Sequence, residues 1–396
     1  MKNIMILGAS ILQLPAILKA KEMGLQVIAV DMDKNAIGFK NADVCLEIST
    51  IDIPNVVEAA KQYNVDGVMT LASDMPMRTV AAVAKELNLV GISEDTALKA
   101  TNKALMRECL KEHNVPIPTF FRVNSYNEYI NSVQHFRGKF IVKPADNSGS
   151  RGVFLINDFY AKKSIEYAFK YSKKFSHSGE IVVEEYMEGS EVSVETLSVD
   201  GEVNIIAITD KLTTGSPRFV EMGHSQPSCV PEDTKEKIEA VATAAIKAIG
   251  IKDGPAHTEI IVTAMGPKIV ELGARLGGDN ITTHLVPLST GIDMVKCCIE
   301  IALGDKPKLE RRIRMGSAIR YFETVPGKVV RINGVDEARD LEGIIQITFV
   351  KNIGNIVGEI NSSSDRIGFV ISQSFSADEA IETCKTAQKL IHIDIH

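Results

Sequence analysis

Residues 257–280 read HTEIIVTAMGPKIVELGARLGGDN. The apolar pairs Ile260-Ile261 and Ile269-Val270 flank a turn over Ala264–Pro267, the pattern of a half-buried antiparallel hairpin. If the hairpin is symmetric about Met265, Glu259 lies opposite Glu271. Opposed residues have Cβ atoms ~5 Å apart, and like charges there destabilise the pair. A hard divalent cation relieves that repulsion, and Mg²⁺ takes one or two carboxylates together with phosphate oxygens. Strand alternation places Glu271, Gly273 and Arg275 on one face. Arg275 then points to the metal side, which suits a phosphate or a developing oxyanion. A surface hairpin with either glutamate paired to Arg275 or Lys268 is the competing reading, and a one-residue slip would separate the carboxylates.

Other segments extend this chemistry toward a nucleotide. In FIVKPADNSGSRGVFLIN, residues 140–157, Lys143 ends a strand and a loop of small residues follows. Such a loop can fold over phosphates with its backbone N–H groups. It lacks GxxxxGK[ST] and a following helix, so it is not a Walker loop. Lys103 falls in the first turn of a helix, where the macrodipole disfavours a cation unless an anion meets it. In IVVEEYMEGSEVSVE, residues 181–195, a strand runs into Glu184-Glu185 and Tyr186-Met187, then turns at Gly189. Backbone groups there can meet an adenine edge with Met187 beneath the ring, and Glu191 can accept ribose hydroxyls. A flexible hairpin loop and an acidic β-hairpin are the plain alternatives for these two segments.

The first ~95 residues alternate strand and helix patterns, implying a parallel sheet covered by helices. Ligands of such sheets gather at the carboxyl ends of the strands, which marks Gly8–Ser10, Asp31 and Ser73–Asp74. GASILQ lacks G-x-G-x-x-G and is no dinucleotide fingerprint. From Glu94 two helices lead into a strand-rich region with a long helix over Thr234–Ile249, preceded by Glu232-Asp233. After about Lys306 the chain is strand-rich and ends in a helix over Ala377–Lys389. The reading is α/β: residues 1–95 a Rossmann-like domain, 96–305 a two-lobed α+β domain with its small lobe over about 115–190, and 306–396 a strand-rich α+β domain.

A chain of 396 residues with 45% hydrophobic and 24% charged residues suits two or three domains with sizeable cores. The formal charge of −7 and the lack of a long basic run argue against nucleic acid. Arg311, Arg312 and Arg314 read as a solvated turn. The six cysteines show no CxxC spacing, as expected in a reducing compartment. No signal-peptide pattern and no membrane-length apolar run are evident, so a cytoplasmic location is expected.

In order, Lys103, Lys143 with its small-residue loop, Glu184–Met187, Glu191, Glu259 and Glu271-x-x-x-Arg275 resemble the ATP-grasp superfamily over nearly the whole chain. The tail segments GSAIRYFETVPGKV and DRIGFVI resemble the C-terminal domain of its amino-acid-ligase and biotin-carboxylase-like branches. The resemblance implies that Lys103 and Lys143 contact ATP phosphates and that Ser148, Gly149, Ser150 and Gly152 belong to a mobile flap. It implies an adenine hinge of Glu184, Glu185 and Met187, with Glu191 on the ribose. It makes Glu259 and Glu271 ligands of Mg²⁺, with Mn²⁺ as the alternative, and has Arg275 stabilise the transferred phosphoryl group or the tetrahedral intermediate. Gly273 stands where many members carry a metal-ligating Asn, and bacterial L-amino acid ligases share a small residue there. FVEMGHSQPS, residues 219–228, also resembles that branch, which makes His224 a substrate-site candidate; Lys211 is a candidate for phosphate or acyl-phosphate contact.

The function implied is ATP-dependent ligation of a carboxylate to an amine, releasing ADP and phosphate, on an amino acid. The alternatives are a ligase acting on an amino sugar or natural-product precursor, a bicarbonate-using carboxylase, and a non-catalytic nucleotide binder. No biotin-carrier AMKM motif occurs in the chain. The substrate pocket is expected from the loops Ser73–Met75, Gly223–Ser228 and Gly277–Asn280, and a homodimer is expected from the family.

Overall fold

The computed structural model describes residues 1–396 apart from Phe159 and Pro217. Strands β1 (Asn3–Leu7), β2 (Gln26–Asp31), β3 (Val44–Glu47) and β4 (Gly67–Met69) form a parallel sheet in the order β3-β2-β1-β4. β1 is buried almost throughout, as a strand covered by helices on both faces must be. Helices Leu14–Glu22 and Ile53–Gln62 make the crossovers.

A second sheet comprises β5 (Phe120–Val123), β6 (Phe140–Pro144), β7 (Phe154–Ile156) and β8 (Ile181–Glu185), in the order β5-β8-β6-β7. Helices Tyr126–Val133 and Lys162–Phe175 pack on it, burying Tyr129, Phe136, Phe140 and Phe169 in one aromatic cluster. The helix Lys162–Phe175 is illegible as a start signal, because Ala161 at its N-cap makes no side-chain bond.

The largest sheet takes β9 (Ser190–Val199), β10 (Glu202–Thr213), β11 (Glu221–Gln226), β12 (Gly254–Thr263) and β13 (Gly266–Gly273). After them come β14 (Gly316–Tyr321), β15 (Gly327–Asn333), β16 (Ile344–Phe349), β17 (Ile356–Val357), β18 (Gly368–Ser374) and β19 (His392–Ile395). The order in the largest sheet is β13-β12-β9-β10-β11-β14-β18-β16, so it continues past residue 305 into the C-terminal segment. β15, β17 and β19 form a small separate sheet. Apolar cores likewise cross the sequence divisions: Met5 and Leu7 share a cluster with Val192, Ile238 and Leu272.

Two expectations are corrected. Pro231 takes the N-cap of the long helix, Glu232–Ile249, so Glu232 and Asp233 lie inside its first turn. Gly223–Ser228 is not a pocket loop: its first four residues belong to the central strand β11, buried along nearly its whole length. Its polar sequence hid the strand because the side chains find partners inside. Gln226 Nε2 donates to Thr209 Oγ1 at 2.8 Å, and Gln226 Oε1 accepts from Ser289 Oγ at 2.8 Å.

Candidate active site

Glu259 is paired with Glu271 in the β12–β13 ladder. The tip is a two-residue turn, since Thr263 pairs with Gly266, and Ile260 pairs with Ile269. The register shifts after Ile260, leaving Val270 as an extra residue in β13. Without that bulge Glu271 would fall opposite Thr258 and leave the face of Glu259. The freed Val270 carbonyl accepts from Arg107 Nη2 at 2.7 Å.

Two lysines neutralise the carboxylates. Lys211 Nζ on β10 lies 3.0 Å from Glu259 Oε1, 2.5 Å from Glu191 Oε1 and 3.7 Å from Glu221 Oε1. Its side chain is 3% exposed. Burial opposes its charge, but the three carboxylates outweigh burial and hold it well above the usual lysine range. Burial likewise opposes ionisation of Glu259, yet Lys211 and His257 hold it well below the carboxylate range. Glu191 is raised, by burial first and by Glu259 and Glu221 besides. Lys103 Nζ reaches Glu271 Oε1 at 2.9 Å and the Asn147 carbonyl at 2.6 Å. It sits in the first turn of the helix Lys103–Glu112, so the anion that this placement calls for is Glu271.

Each carboxylate engages the protein through Oε1, and neither Oε2 has a hydrogen-bond partner among the described residues. Among the described residues no cluster of three or more His, Cys, Asp or Glu surrounds one metal position. Glu259 and Glu271 offer a pair of carboxylates, a donor set that fits Mg²⁺ with phosphate oxygens and water completing its shell.

Glu195 and His257 extend the same face. Glu195 is wholly buried and its Oε1 lies 2.7 Å from His257 Nδ1, while His257 Nε2 lies 3.4 Å from Glu259 Oε1. Burial lowers the imidazole pKa, but Glu195 outweighs it and raises His257 to about 9. Gly277 packs flat against this pair: an added Cβ would lie 2.7 Å from His257 Nδ1 and 2.8 Å from Glu195 Oε2. Strand alternation could have found both residues, since Glu195 is four positions beyond Glu191 on β9 and His257 two before Glu259 on β12.

A second cationic end lies beyond Lys103. Lys143 Nζ is 2.6 Å from Glu184 Oε2, and Arg107 Nε donates to Glu184 Oε1 at 2.7 Å. Arg107 and Glu184 side chains are 1% and 4% exposed. The Glu184 carboxylate is thus committed to Arg107 and Lys143 rather than open to a hinge. Burial, Arg107 and Lys103 all push Lys143 below the usual lysine range, against the pull of Glu184. Three cations share this end, and a polyanion would relieve their mutual repulsion. Arg107 follows Lys103 by four residues on one helix face, the signal by which it could have been read.

At the proposed hinge, Glu185 N donates to the Thr119 carbonyl at 2.9 Å and Tyr186 N to the Lys139 carbonyl at 3.2 Å. Met187 is buried nearby. The loop over Ser148–Gly152 joins β6 to β7, with Gly149, Ser150 and Gly152 at positive φ. Arg151 folds back on it, donating from Nε to the Ser148 carbonyl at 3.0 Å. Arg275 Nε donates to Asp74 Oδ1 at 2.8 Å, joining the N-terminal sheet to the site.

The far end of the face is built partly by the C-terminal segment. His224 on β11 is buried, with Nε2 3.3 Å from Asp279 Oδ2 and Nδ1 without a partner among the described residues. Arg366 grips Asp279 with both Nη atoms, at 2.8 and 2.7 Å, and stacks 3.6 Å over the Tyr321 ring. Asp279 and Asn280 are both left-handed, at φ 51° and 62°, and lead into the π-helical turn Ile281–Leu285. Such strain and π-turns concentrate at functional sites.

Residues 136–283 match the ATP-grasp domain and residues 320–396 match L-amino acid ligase C-terminal domain 2. The chain is 27% identical over 293 residues to the L-arginine-specific L-amino acid ligase of Bacillus subtilis, covering 70% of this chain and 67% of that enzyme. The L-amino acid ligase of Bacillus licheniformis superposes with a TM-score of 0.87 at 23% identity, covering 100% of this chain and 99% of that one. The biotin carboxylase domain of Hydrogenobacter thermophilus 2-oxoglutarate carboxylase, solved with MgADP, ADP and bicarbonate, superposes with a TM-score of 0.78 at 17% identity, covering 100% and 91%. Among the described residues no helix is long and apolar enough to cross a membrane. Residues 136–283 are an ATP-grasp domain and residues 320–396 an L-amino acid ligase C-terminal domain 2, and over its length the chain is similar to L-amino acid ligases.

Proposed function

We propose that this chain activates the carboxylate of an amino acid as an acyl phosphate, at the expense of ATP, and joins it to an amine. The observation that carries the reading is the single polar face on which Lys211, Glu259, Glu271 and Arg275 converge between a cationic end and the His224 end. Lys103 and Lys143 bind the phosphates, with the charge of the buried Arg107 behind them, and the Ser148–Gly152 loop folds over them. Glu191 holds the ribose, and the connector at Glu185 and Met187 meets the adenine. Glu259 and Glu271 would hold Mg²⁺, which would neutralise the charge developing on the phosphoryl group.

The reaction then follows from positioning and charge. The substrate carboxylate oxygen attacks the γ-phosphorus, and the bond to the β-phosphate oxygen breaks, releasing ADP. Arg275 stabilises charge on the transferred group, and Lys211 contacts the acyl phosphate. Closing the loop over the site keeps water from the mixed anhydride. The amine attacks the acyl carbon, phosphate leaves, and the amine's proton is lost to solvent or a nearby base. No serine or cysteine nucleophile is required.

The test is ADP release with MgATP and a panel of amino acids, alone and in pairs, with mass analysis of products. Amino-acid-dependent ADP release with a matching amide is expected. ADP release without amide rejects the ligase assignment, and bicarbonate-stimulated release without an amine would move the reading to a carboxylase.

A further inference from the structure

The residue two after Glu271 is a glycine, and the space beside it is taken. A Cβ added at Gly273 would lie 2.9 Å from Asp74 Oδ1 and 3.1 Å from Arg275 Nε. Both contacts are closer than carbon ordinarily tolerates, and both are to side-chain atoms rather than backbone. Arg275 Nε and Nη2 grip the two Asp74 oxygens at 2.8 and 3.4 Å. A fork of this kind fixes the plane of the guanidinium as well as its position. Nη1 keeps donor capacity, its own bond being a 3.3 Å contact to the Leu276 carbonyl.

The loop that delivers Asp74 is shaped for the purpose. Ala72 is held left-handed at φ 58°, which is uncommon for a residue with a Cβ. On either side of it, the buried Gln13 Nε2 donates to the Leu71 carbonyl at 2.7 Å and to Ser73 Oγ at 3.1 Å. Backbone strain held by surrounding hydrogen bonds points to a functional demand on the loop.

We infer that Asp74 is a positioning residue for phosphoryl transfer, lent by the N-terminal sheet to aim Arg275, and that position 273 must lack a side chain because Asp74 fills its volume. The inference rests on the phosphoryl-transfer reading given above. In this role Asp74 acts through Arg275, the side chain whose guanidinium it grips.

The test uses the full chain and needs no amino acid substrate. Affinities are measured for MgADP alone and for MgADP with aluminium fluoride, a mimic of the phosphoryl group in transfer. Variants are Asp74→Ala, Asp74→Asn, Gly273→Ala and the double variant Asp74→Ala/Gly273→Ala, each checked for an unchanged melting temperature. Each single alanine variant is expected to weaken the fluoride complex about 10-fold or more while MgADP affinity stays within about twofold. The double variant should be no weaker than the worse single, because both act on one arginine. Asp74→Asn keeps an acceptor for Arg275 and should fall between, and it also serves if Asp74→Ala does not fold. Losses that multiply in the double variant, or that strike MgADP equally, overturn the inference. A wild-type chain that binds MgADP but not the fluoride complex removes the phosphoryl-transfer reading and the inference with it.

Discussion

Glu259 and Glu271 face each other across β12 and β13 because one residue, Val270, is bulged out of the ladder between them. The bulge re-aims a carboxylate, and its freed carbonyl is held by Arg107 from a different element. A like-charged pair is thereby created and at the same time supplied with Lys211 and Lys103.

The first prediction concerns Glu271 itself. Glu271→Gln keeps the shape and the acceptor for Lys103 but removes a charge from the metal pair. ADP release should fall at least ~100-fold, since several kcal/mol of transition-state charge stabilisation depend on the metal. The melting temperature should stay within about 2 °C. Turnover near the wild-type rate in a coupled assay refutes the metal assignment.

Lys211 gives the second. Replacing it with methionine leaves Glu191, Glu221 and Glu259 without their shared cation. Uncompensated buried charge is strongly destabilising, by about 3–5 kcal/mol when one partner of a pair is removed. A cation that binds only the folded state restores part of that loss. Thermal melts of Lys211→Met should therefore rise more steeply with Mg²⁺ than wild-type melts. Identical Mg²⁺ responses show that the lysine and the metal do not share these carboxylates.

The buried cluster of Arg107, Glu184 and Lys143 gives the third. Arg107→Met should lower unfolding stability by about 3–5 kcal/mol in urea, because Glu184 keeps only Lys143 and the Val270 carbonyl loses its donor. It should also weaken ATP binding, as one of three cations leaves the phosphate end. A loss below about 1 kcal/mol places the cluster among weakly coupled surface pairs.

A pH dependence follows from Glu184. Burial alone would raise its pKa, but the charges of Arg107 and Lys143 reverse that and set it at about 2. Its folded pKa thus lies below the unfolded value of about 4.3. The stabilisation is complete above the unfolded pKa and is lost as pH falls toward 2, with a size of roughly 3 kcal/mol. Urea midpoints between pH 6 and 3 should drop more steeply for wild type than for Glu184→Gln. Parallel slopes would assign the acid sensitivity to other carboxylates.

How much was legible can be argued residue by residue. The alternation from Glu271 to Arg275 and the polarity of the 257–280 hairpin needed only period-two geometry, and Lys103 needed only a helix start. The expected symmetry about Met265 gave the right carboxylate pair by a different route, since the tip turn is one residue short of it and the bulge makes up the difference. β11 was read as a loop because buried polar side chains erase the apolar pattern that marks a strand.

By itself the sequence determined the parallel N-terminal sheet, the hairpin and the faces on which its charged side chains lie, because each is written in local periodicity and spacing. Only the tertiary structure decided which charges answer which. Lys103 meets Glu271 across 168 residues, and Asp74 meets Arg275 across 201. Arg366 reaches Asp279 from the C-terminal segment, and Glu184 turns inward to Arg107 and Lys143. Local pattern says which face a side chain takes, whereas the partner that arrives at that face is set by how separate elements pack. In a buried site that partner fixes the charge state, and with it the chemistry.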